Sequence, residues 1–280
     1  MIVFPNCKIN LGLNIVLKRN DGFHNLETVF FPIQIKDILE ILPSKNSEST
    51  FTQSGLSIAG TTNNNICIKA YHLLKSDFPS LPAIQMHLHK IIPMGAGLGG
   101  GSSDAAAVLM ALDRLLATKM PTEELERVAA AMGSDIPFFI RSQPAICRGR
   151  GEIIEPFEGL PPADILLVKP PFPIPTPWAY QAWANSEKPS ATFQQFHGSI
   201  SLVNDLENPV FSKYLLLPVL KSALRTHPAV SAAMMSGSGS TIFAILRDSA
   251  QGIEEWIRSE FGESFQTFRA RLLNEQGHLV

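Results

Sequence analysis

Pro93 to Ala106, read as PMGAGLGGGSSDAA, constrains this chain more than any other stretch. Five of the seven residues from Gly95 to Gly101 are glycine. The backbone there can take positive φ, with no Cβ between it and an approaching group. Successive N–H groups in such a run point into one hollow, a nest for an anion. Ala105–Thr118 (AAAVLMALDRLLAT) follows, rich in strong helix formers, so Ser102 or Ser103 is the expected N-cap. The positive end of that helix and the nest favour the same ligand, a phosphate. The predicted cradle comprises Pro93, Met94, Gly95, Ala96, Gly97, Leu98, Gly99, Gly100, Gly101, Ser102 and Ser103.

Two better-known glycine patterns fit less well. Gly95, Gly97 and Gly100 satisfy G-x-G-x-x-G, but no acidic residue lies about 20 positions on at a strand end to hold a ribose. A P-loop needs Gly-Lys-Ser/Thr at the end of the glycines, and this chain has Gly-Gly-Ser-Ser. A merely flexible loop is disfavoured, because apolar segments on both sides would make it costly to order without a ligand.

Composition bounds the rest. The 280 residues suit one large or two modest domains, with 45% apolar and 17% charged residues, which is a folded globular chain. A net charge of −2 without a basic stripe recommends no nucleic-acid partner. Cys7, Cys67 and Cys147 are odd in number, far apart and without metal spacing, as expected of reduced thiols. The start of the chain resembles neither a signal peptide nor a transit segment, and no apolar run approaches a membrane span. A soluble cytoplasmic protein is expected.

Along the chain, Lys8–Lys18 alternates, with Ile9, Leu11, Leu13, Ile15 and Leu17 on one face and Lys8, Asn10, Gly12 and Asn14 on the other. Asn20-Asp21-Gly22 is a turn signal, and Phe23–Gln34 returns as the second strand of a hairpin. Lys8 sits inside an apolar strand start among amides and glycine, which favours a functional role over a solvated lysine. For His24, a surface histidine beside a turn and a ligand contact fit the spacing equally. Asp37–Leu42 and Thr50–Ile58 are further strands. Thr61–Asn65 is a cap cluster before a helix from Ile66 to about Lys75, and Ala83–Ile92 is the strand feeding the glycine loop. His87 and His89 share a face without a carboxylate or cysteine partner, which is weak support for metal. Lys90 lies just ahead of the nest, where a nucleotide contact and an exposed strand-end lysine both fit.

Pro121–Met132 is a further helix, followed by Gly133-Ser134-Asp135-Ile136-Pro137-Phe138-Phe139. Pro137 disfavours helical geometry at Ile136, so Asp135 is expected on extended backbone beside an apolar strand, either as a withdrawn carboxylate or as a turn aspartate. Composition shifts at Glu155–Pro162, a sensible domain boundary. Asp164–Lys169 reads as a buried strand, Pro170–Pro177 as a rigid extended crossing and Trp178–Trp183 as a helix. Val203–Pro209 (VNDLENP) reads as a capped turn between helices. Ser236–Ser240 (SGSGS) is a second glycine-serine nest before the strand Thr241–Leu246. Gln251–Phe261 and Ser264–Leu273 close the chain as helix and strand.

Three blocks, Lys8–Leu11, PMGAGLGGGSSDAA and Met235–Thr241 (MSGSGST), together resemble the GHMP kinases, named for galactokinase, homoserine kinase, mevalonate kinase and phosphomevalonate kinase. Asp21-Gly22-Phe23-His24, Gly133–Phe139, Ile174–Pro177 (IPTP) and Asn204-Asp205 narrow the resemblance to the branch whose acceptor is a cytidyl diphosphate alcohol. The resemblance spans nearly the whole chain. It implies an α+β, two-domain GHMP kinase fold with the active site in the interdomain cleft. Residues 1–155 would form the ATP-binding domain and residues 156–280 a ferredoxin-like substrate domain. It further implies ATP and Mg2+ as cofactors, with the phosphates on residues 93–103 and Ser102 and Ser103 toward phosphate or metal.

By the same resemblance Asp135 would take the proton of the acceptor hydroxyl, and Lys8 would pair with Asp135 and stabilise developing charge. Asn10 and Thr176 would hold the acceptor. Phe23 and Tyr180 would sandwich a cytosine whose edge meets His24. Phenylalanine stands at position 23 where the family has tyrosine, so stacking survives and a hydroxyl contact is lost. Lys90 and Asn65 would lie near the adenine end, and Gly237, Ser238 and Gly239 would close over the substrate's diphosphate. The rival readings are another kinase or the decarboxylase of the same superfamily, a non-catalytic nucleotide sensor, and a nicotinamide dehydrogenase. Retention of both Lys8 and Asp135 argues against the sensor, and the missing ribose-binding acid against the dehydrogenase.

Overall fold

A computed structural model of the chain describes residues 1–58, 64–157, 163–186, 195–196, 199–200, 203–247 and 250–272. The first half runs β1 (Ile2–Val3), β2 (Asn6–Lys18), β3 (His24–Lys36), β4 (Ile38–Pro43), β5 (Thr50–Gly55), α1 (Ile66–Asp77), β6 (Ile84–Lys90), α2 (Gly100–Leu116), α3 (Thr122–Met132), α4 (Ile136–Arg141), β7 (Ala145–Arg148) and β8 (Ile153–Pro156). Then come β9 (Ala163–Lys169), α5 (Thr176–Ala184), β10 (Gln195–Phe196), β11 (Ser199–Ile200), α6 (Glu207–Lys213), α7 (Leu216–Thr226), β12 (Val230–Met235), β13 (Ile242–Leu246), α8 (Ile253–Phe261) and β14 (Gln266–Leu272).

The expected hairpin is present. β2 and β3 pair antiparallel from Lys18↔His24 to Asn6↔Lys36, with register shifts at Asn6/Cys7, Asn10/Leu13 and Ile15/Leu17. Each irregularity re-aims the side chains beyond it. Leu17, expected on the inner face, is therefore exposed, while Lys8 and Asn10, expected on the polar face, are buried. The other side of β3 is shared between β7, through Thr28–Phe30, and β14, through Ile33. A larger sheet results in the order β12-β13-β9-β14-β3-β7-β8, with β2 on β3. A smaller sheet, β1-β4-β6-β5, carries α1 and α2 over the core that includes Leu39, Met86, Ala106 and Leu109. Helices α5–α8 cover the opposite end around Leu166, Val168, Trp183 and Leu220.

Three expectations are corrected. Neither Ser102 nor Ser103 caps a helix: α2 begins earlier, at Gly100, and its N-cap is Gly99 in the left-handed region without a side-chain cap. A glycine with φ of +69° turns the chain into the helix three residues sooner than a cap at Ser102 would. The Ile136–Phe139 stretch is helix α4, not an extended strand, and Asp135 is its N-cap in αR geometry. Pro137 falls in the first turn, where its missing N–H has no intrahelical partner to lose. Finally, Val203–Asp205 is no simple turn: Asn204 makes a parallel bridge to Leu13 of β2 before α6 starts.

The expected division at residues 155/156 meets a sheet that does not stop there. β14 pairs both β3 and β9, and a third core mixes Ile9, Leu11 and Ile33 with Ile165, Leu167, Met234 and Phe243. Burial shared this evenly couples the halves. Calorimetric unfolding of the chain should show one transition, and truncating the fully buried Leu167 to alanine should lower that single transition as a whole, by about 2–5 kcal/mol. Two separate transitions would restore independent units.

Candidate active site

The glycine run folds as an alternation. Gly95, Gly97 and Gly99 have φ of +59°, +75° and +69°, while Ala96 and Leu98 between them are buried in the shared core. The carbonyls are all taken from behind. Ile174 N–H donates to Gly95 O (3.1 Å), Thr241 N–H to Ala96 O (3.3 Å), Lys8 N–H to Leu98 O (2.9 Å) and Ser103 N–H to Gly99 O (3.0 Å). Ser236 Oγ donates to Gly97 O at 2.9 Å. Among the described residues, the N–H groups of 94–99 have no such partner. They are left for an anion beside the start of α2, whose first N–H groups are free by helix geometry.

That loop floors a cleft of about 990 Å³, lined on one side by residues 93–102 and Asp104 and on the other by Thr176, Tyr180, Gly237 and Ser238. Ser102 faces the cleft; Ser103 is buried in α2 and does not line it. Gly239 likewise turns away, toward Met235 and Ile174. The two glycine loops touch at backbone distance: a Cβ on Gly97 would stand 2.0 Å from Ser236 O.

Lys8 and Asp135 meet at the centre. Lys8 Nζ lies 3.4 Å from Asp135 Oδ2 and donates to Asn10 Oδ1 at 2.6 Å. The ammonium also sits 4.4 Å from the centre of the Phe30 ring. Asn10 Nδ2 donates to Thr28 Oγ1 at 2.9 Å, which holds the amide so that its oxygen meets the lysine. Lys8 is almost fully buried, whereas the Asp135 side chain is 36% exposed. A fixed cation beside an accessible carboxylate suits proton acceptance from a bound hydroxyl.

A strap not legible as such in the sequence positions the second loop. Asn204 Nδ2 donates to Met235 O and Gly237 O, both at 2.8 Å, and its Oδ1 accepts Leu206 N–H. Asp205 Oδ2 accepts Ile15 N–H at 2.7 Å, and burial raises its carboxyl. Polar residues N-terminal to a helix read as caps, and only the fold shows that these tie β2 to Met235–Gly237.

At one end of the cleft, His24 stacks on Tyr180 with ring centres 5.4 Å apart and planes 26° apart. Phe23 is half-exposed, with the Arg150 guanidinium 4.8 Å from its ring centre. Arg150, unremarked in the sequence, lines the cleft from the β7–β8 turn. At the other end Phe51, Ile58 and Ile66 line the cleft together with the amides Gln53, Asn64 and Asn65. Asn65 caps α1 there, accepting Cys67 N–H at 2.8 Å.

Lys90 is placed differently from expectation. It is fully buried beneath the loop, its Nζ bound to Asp37 and, at 2.7 Å, to Asp104, and it does not line the cleft. Burial opposes its charge, but the two carboxylates outweigh burial and raise its pKa. Burial also pushes the Asp104 carboxyl up to about 7, Lys90 opposing and Asp37 adding.

Two predictions follow from this packing. Gly97→Ala would combine the backbone clash with a strained φ and should cost about 2 kcal/mol or more. Gly101→Ala, whose Cβ meets nothing within 4 Å, should stay within about 0.5 kcal/mol; urea denaturation reads both. For Asp104, the folded chain holds a proton that the unfolded chain has lost, so its contribution to stability falls as pH rises from about 4 to about 7 and then levels. The urea midpoint of the wild type relative to Asp104→Asn should decline over that window, and a flat difference would contradict this assignment.

The arrangement agrees with known proteins. The model for the GHMP kinases N terminal domain matches residues 65–143, and that for GHMP kinases C terminal matches residues 192–263. A 4-diphosphocytidyl-2-C-methyl-D-erythritol kinase of Methylacidiphilum infernorum is 44% identical over 251 residues, 86% of this chain and 85% of that protein. One of Cytophaga hutchinsonii is 42% identical over 262 residues, 91% and 96% of the respective chains. The crystal structure of a 4-(cytidine 5'-diphospho)-2C-methyl-D-erythritol kinase superposes with a TM-score of 0.79 at 29% identity, covering 97% of this chain and 98% of that one. Two glycine loops packed back to back over a lysine–aspartate pair thus coincide with matches over both halves of the sequence, and the chain belongs to the GHMP kinases, in the family of 4-diphosphocytidyl-2-C-methyl-D-erythritol kinases.

Proposed function

We propose that this cleft transfers the terminal phosphoryl group of ATP to the 2-hydroxyl of 4-diphosphocytidyl-2-C-methyl-D-erythritol, the compound for which its relatives are named. The observation that carries the reading is the Lys8–Asp135 pair, 3.4 Å apart, in a cleft lined by the free N–H groups of the first glycine loop and by Gly237 and Ser238 of the second. The Gly95–Gly101 loop holds the triphosphate. Asp135 accepts the hydroxyl proton as the oxygen forms its bond to the γ-phosphorus and the bond to the β,γ-bridging oxygen breaks, releasing ADP. The Lys8 ammonium, held by Asn10, faces the charge on the transferring group. Thr176 and Ser238, whose hydroxyls are 2.9 Å apart, and Gly237 line the wall where the acceptor's diphosphate lies. Phe23, His24 and Tyr180 receive the cytosine, with Arg150 at its edge.

Magnesium fits this site as an ion carried by the nucleotide. No cluster of three or more His, Cys, Asp or Glu exists among the described residues, and Mg2+ characteristically takes phosphate oxygens and water with one or two protein oxygens. Ser102 is the cleft hydroxyl that would supply one, and Ser103 is too deeply placed. Bound there, the ion neutralises phosphate charge. No helix among the described residues is long and apolar enough to cross a membrane, and Cys7, Cys67 and Cys147 are buried thiols, in keeping with a cytoplasmic enzyme.

The test is ADP release from the purified chain with the cytidyl substrate offered beside homoserine, galactose and mevalonate. Turnover should be confined to the cytidyl substrate. Asp135→Asn should lower kcat by about 10²–10⁴ while ATP binding persists. Equal turnover with another acceptor, or an unimpaired Asp135→Asn enzyme, would overturn the reading.

A further inference from the structure

Three charges are buried beneath the first turns of α2, and two of them are fully engaged. Asp37 Oδ1 accepts the N–H groups of Ile91 at 2.5 Å and Ile92 at 2.8 Å, and its Oδ2 takes Lys90. Lys90 is held by both carboxylates. Asp104 differs: Oδ2 accepts from Lys90 at 2.7 Å, but Oδ1 has no partner although the residue is only 2% exposed. Of the three, Asp104 alone lines the cleft. A buried carboxylate oxygen without a donor is costly, and a bound ligand that brings a donor relieves it.

Asp104 also belongs to an identifiable end of the cleft. It lies one turn along α2 from the phosphate loop, and α2 packs against α1. The wall there is Phe51, Gln53, Ile58, Asn64, Asn65 and Ile66, apolar faces with amides between them, which suits a flat ring with polar edges. The aromatic cluster of His24 and Tyr180 stands on other elements, β3 and α5.

We propose that Asp104 Oδ1 accepts a hydrogen bond from the exocyclic 6-amino group of the bound nucleotide's purine, so that the Asp37–Lys90–Asp104 triad selects adenine over guanine. This rests on the reading of the cleft as an ATP site. Adenine presents a donor at C6; guanine presents a carbonyl oxygen, which a carboxylate repels. Lys90 contributes by locking Oδ2, which leaves Oδ1 as the oxygen available to a ligand.

The test is calorimetric binding to the intact chain, well above pH 7 so that Asp104 is ionised, using ATP, GTP, 2′-deoxyATP and purine riboside triphosphate, which lacks the amino group. The wild type should bind ATP about tenfold or more tightly than GTP or the purine riboside, with 2′-deoxyATP close to ATP. In Asp104→Asn, with the amide oxygen on Lys90, Nδ2 takes the place of Oδ1 and presents a donor. The ATP-to-GTP affinity ratio should then fall by about tenfold or more. Equal wild-type affinity for ATP and the purine riboside overturns the proposal, as does an unchanged ratio in the variant. Discrimination against 2′-deoxyATP alone places the oxygen at the sugar and also overturns it. Should Asp104→Asn fail to fold, the wild-type analogue series decides. Flat base selectivity with normal turnover defeats this inference and leaves the kinase reading intact; base selectivity without ADP release from any acceptor does the reverse.

Discussion

The contact between the two glycine loops is the constraint on which the rest of the molecule depends. Gly97 stands so close to Ser236 O that no side chain fits, and the hydroxyl of Ser236 closes the same contact on Gly97 O. An anion nest works only if its N–H groups converge and its carbonyls are satisfied elsewhere. Here the carbonyls are satisfied by segments from Lys8, Ile174, Ser236 and Thr241, distant in sequence. The nest is thus a product of the whole fold, and its φ strain is avoided by glycine at each inward turn.

The continuous sheet explains how segments so far apart in sequence are held together. β3 is the hub: β2 on one side carries Lys8 and Asn10, while on the other β7 pairs one part of it and β14 brings in the second half of the chain. The strap at Asn204 and Asp205 then links β2 directly to Met235–Gly237. A charge pair at an active site has to be positioned by groups that cannot themselves relax, since small misplacements are costly in rate. The buried Lys8, gripped by Asn10 and set over Phe30, is such a group; the more exposed Asp135 is the one left open to a substrate.

Much of the fold was legible in the sequence because local rules and tertiary demands agree. The strand through Lys8–Lys18, the Asn-Asp-Gly turn and the strand after the second glycine-serine run appear where they were expected, and the alanine-rich helix does so with an earlier start. Where local rules conflicted with context, they misled. Pro137 reads as a helix breaker from the residue before it, yet it lies in a first turn, where proline is at home. Ser102 and Ser103 read as caps, yet a left-handed Gly99 made the turn first. Lys90 reads as a strand-end lysine, and no local signal reveals that Asp37, 53 residues earlier, waits for it in the core.

By itself the sequence determined the chemistry available: a nest-forming backbone, a lysine, an aspartate, two aromatic rings and a histidine, in an order that resembles one kinase family. Those are properties of residue types and short spacings, which a linear chain expresses directly. Only the tertiary structure decided which of these groups share a space. It brought Lys8 against Asp135 and buried Ser103 while exposing Ser102. It also left one oxygen of Asp104 without a donor. Such outcomes follow from bulges, sheet order and the satisfaction of backbone groups by remote partners, none of which any window of neighbouring residues contains.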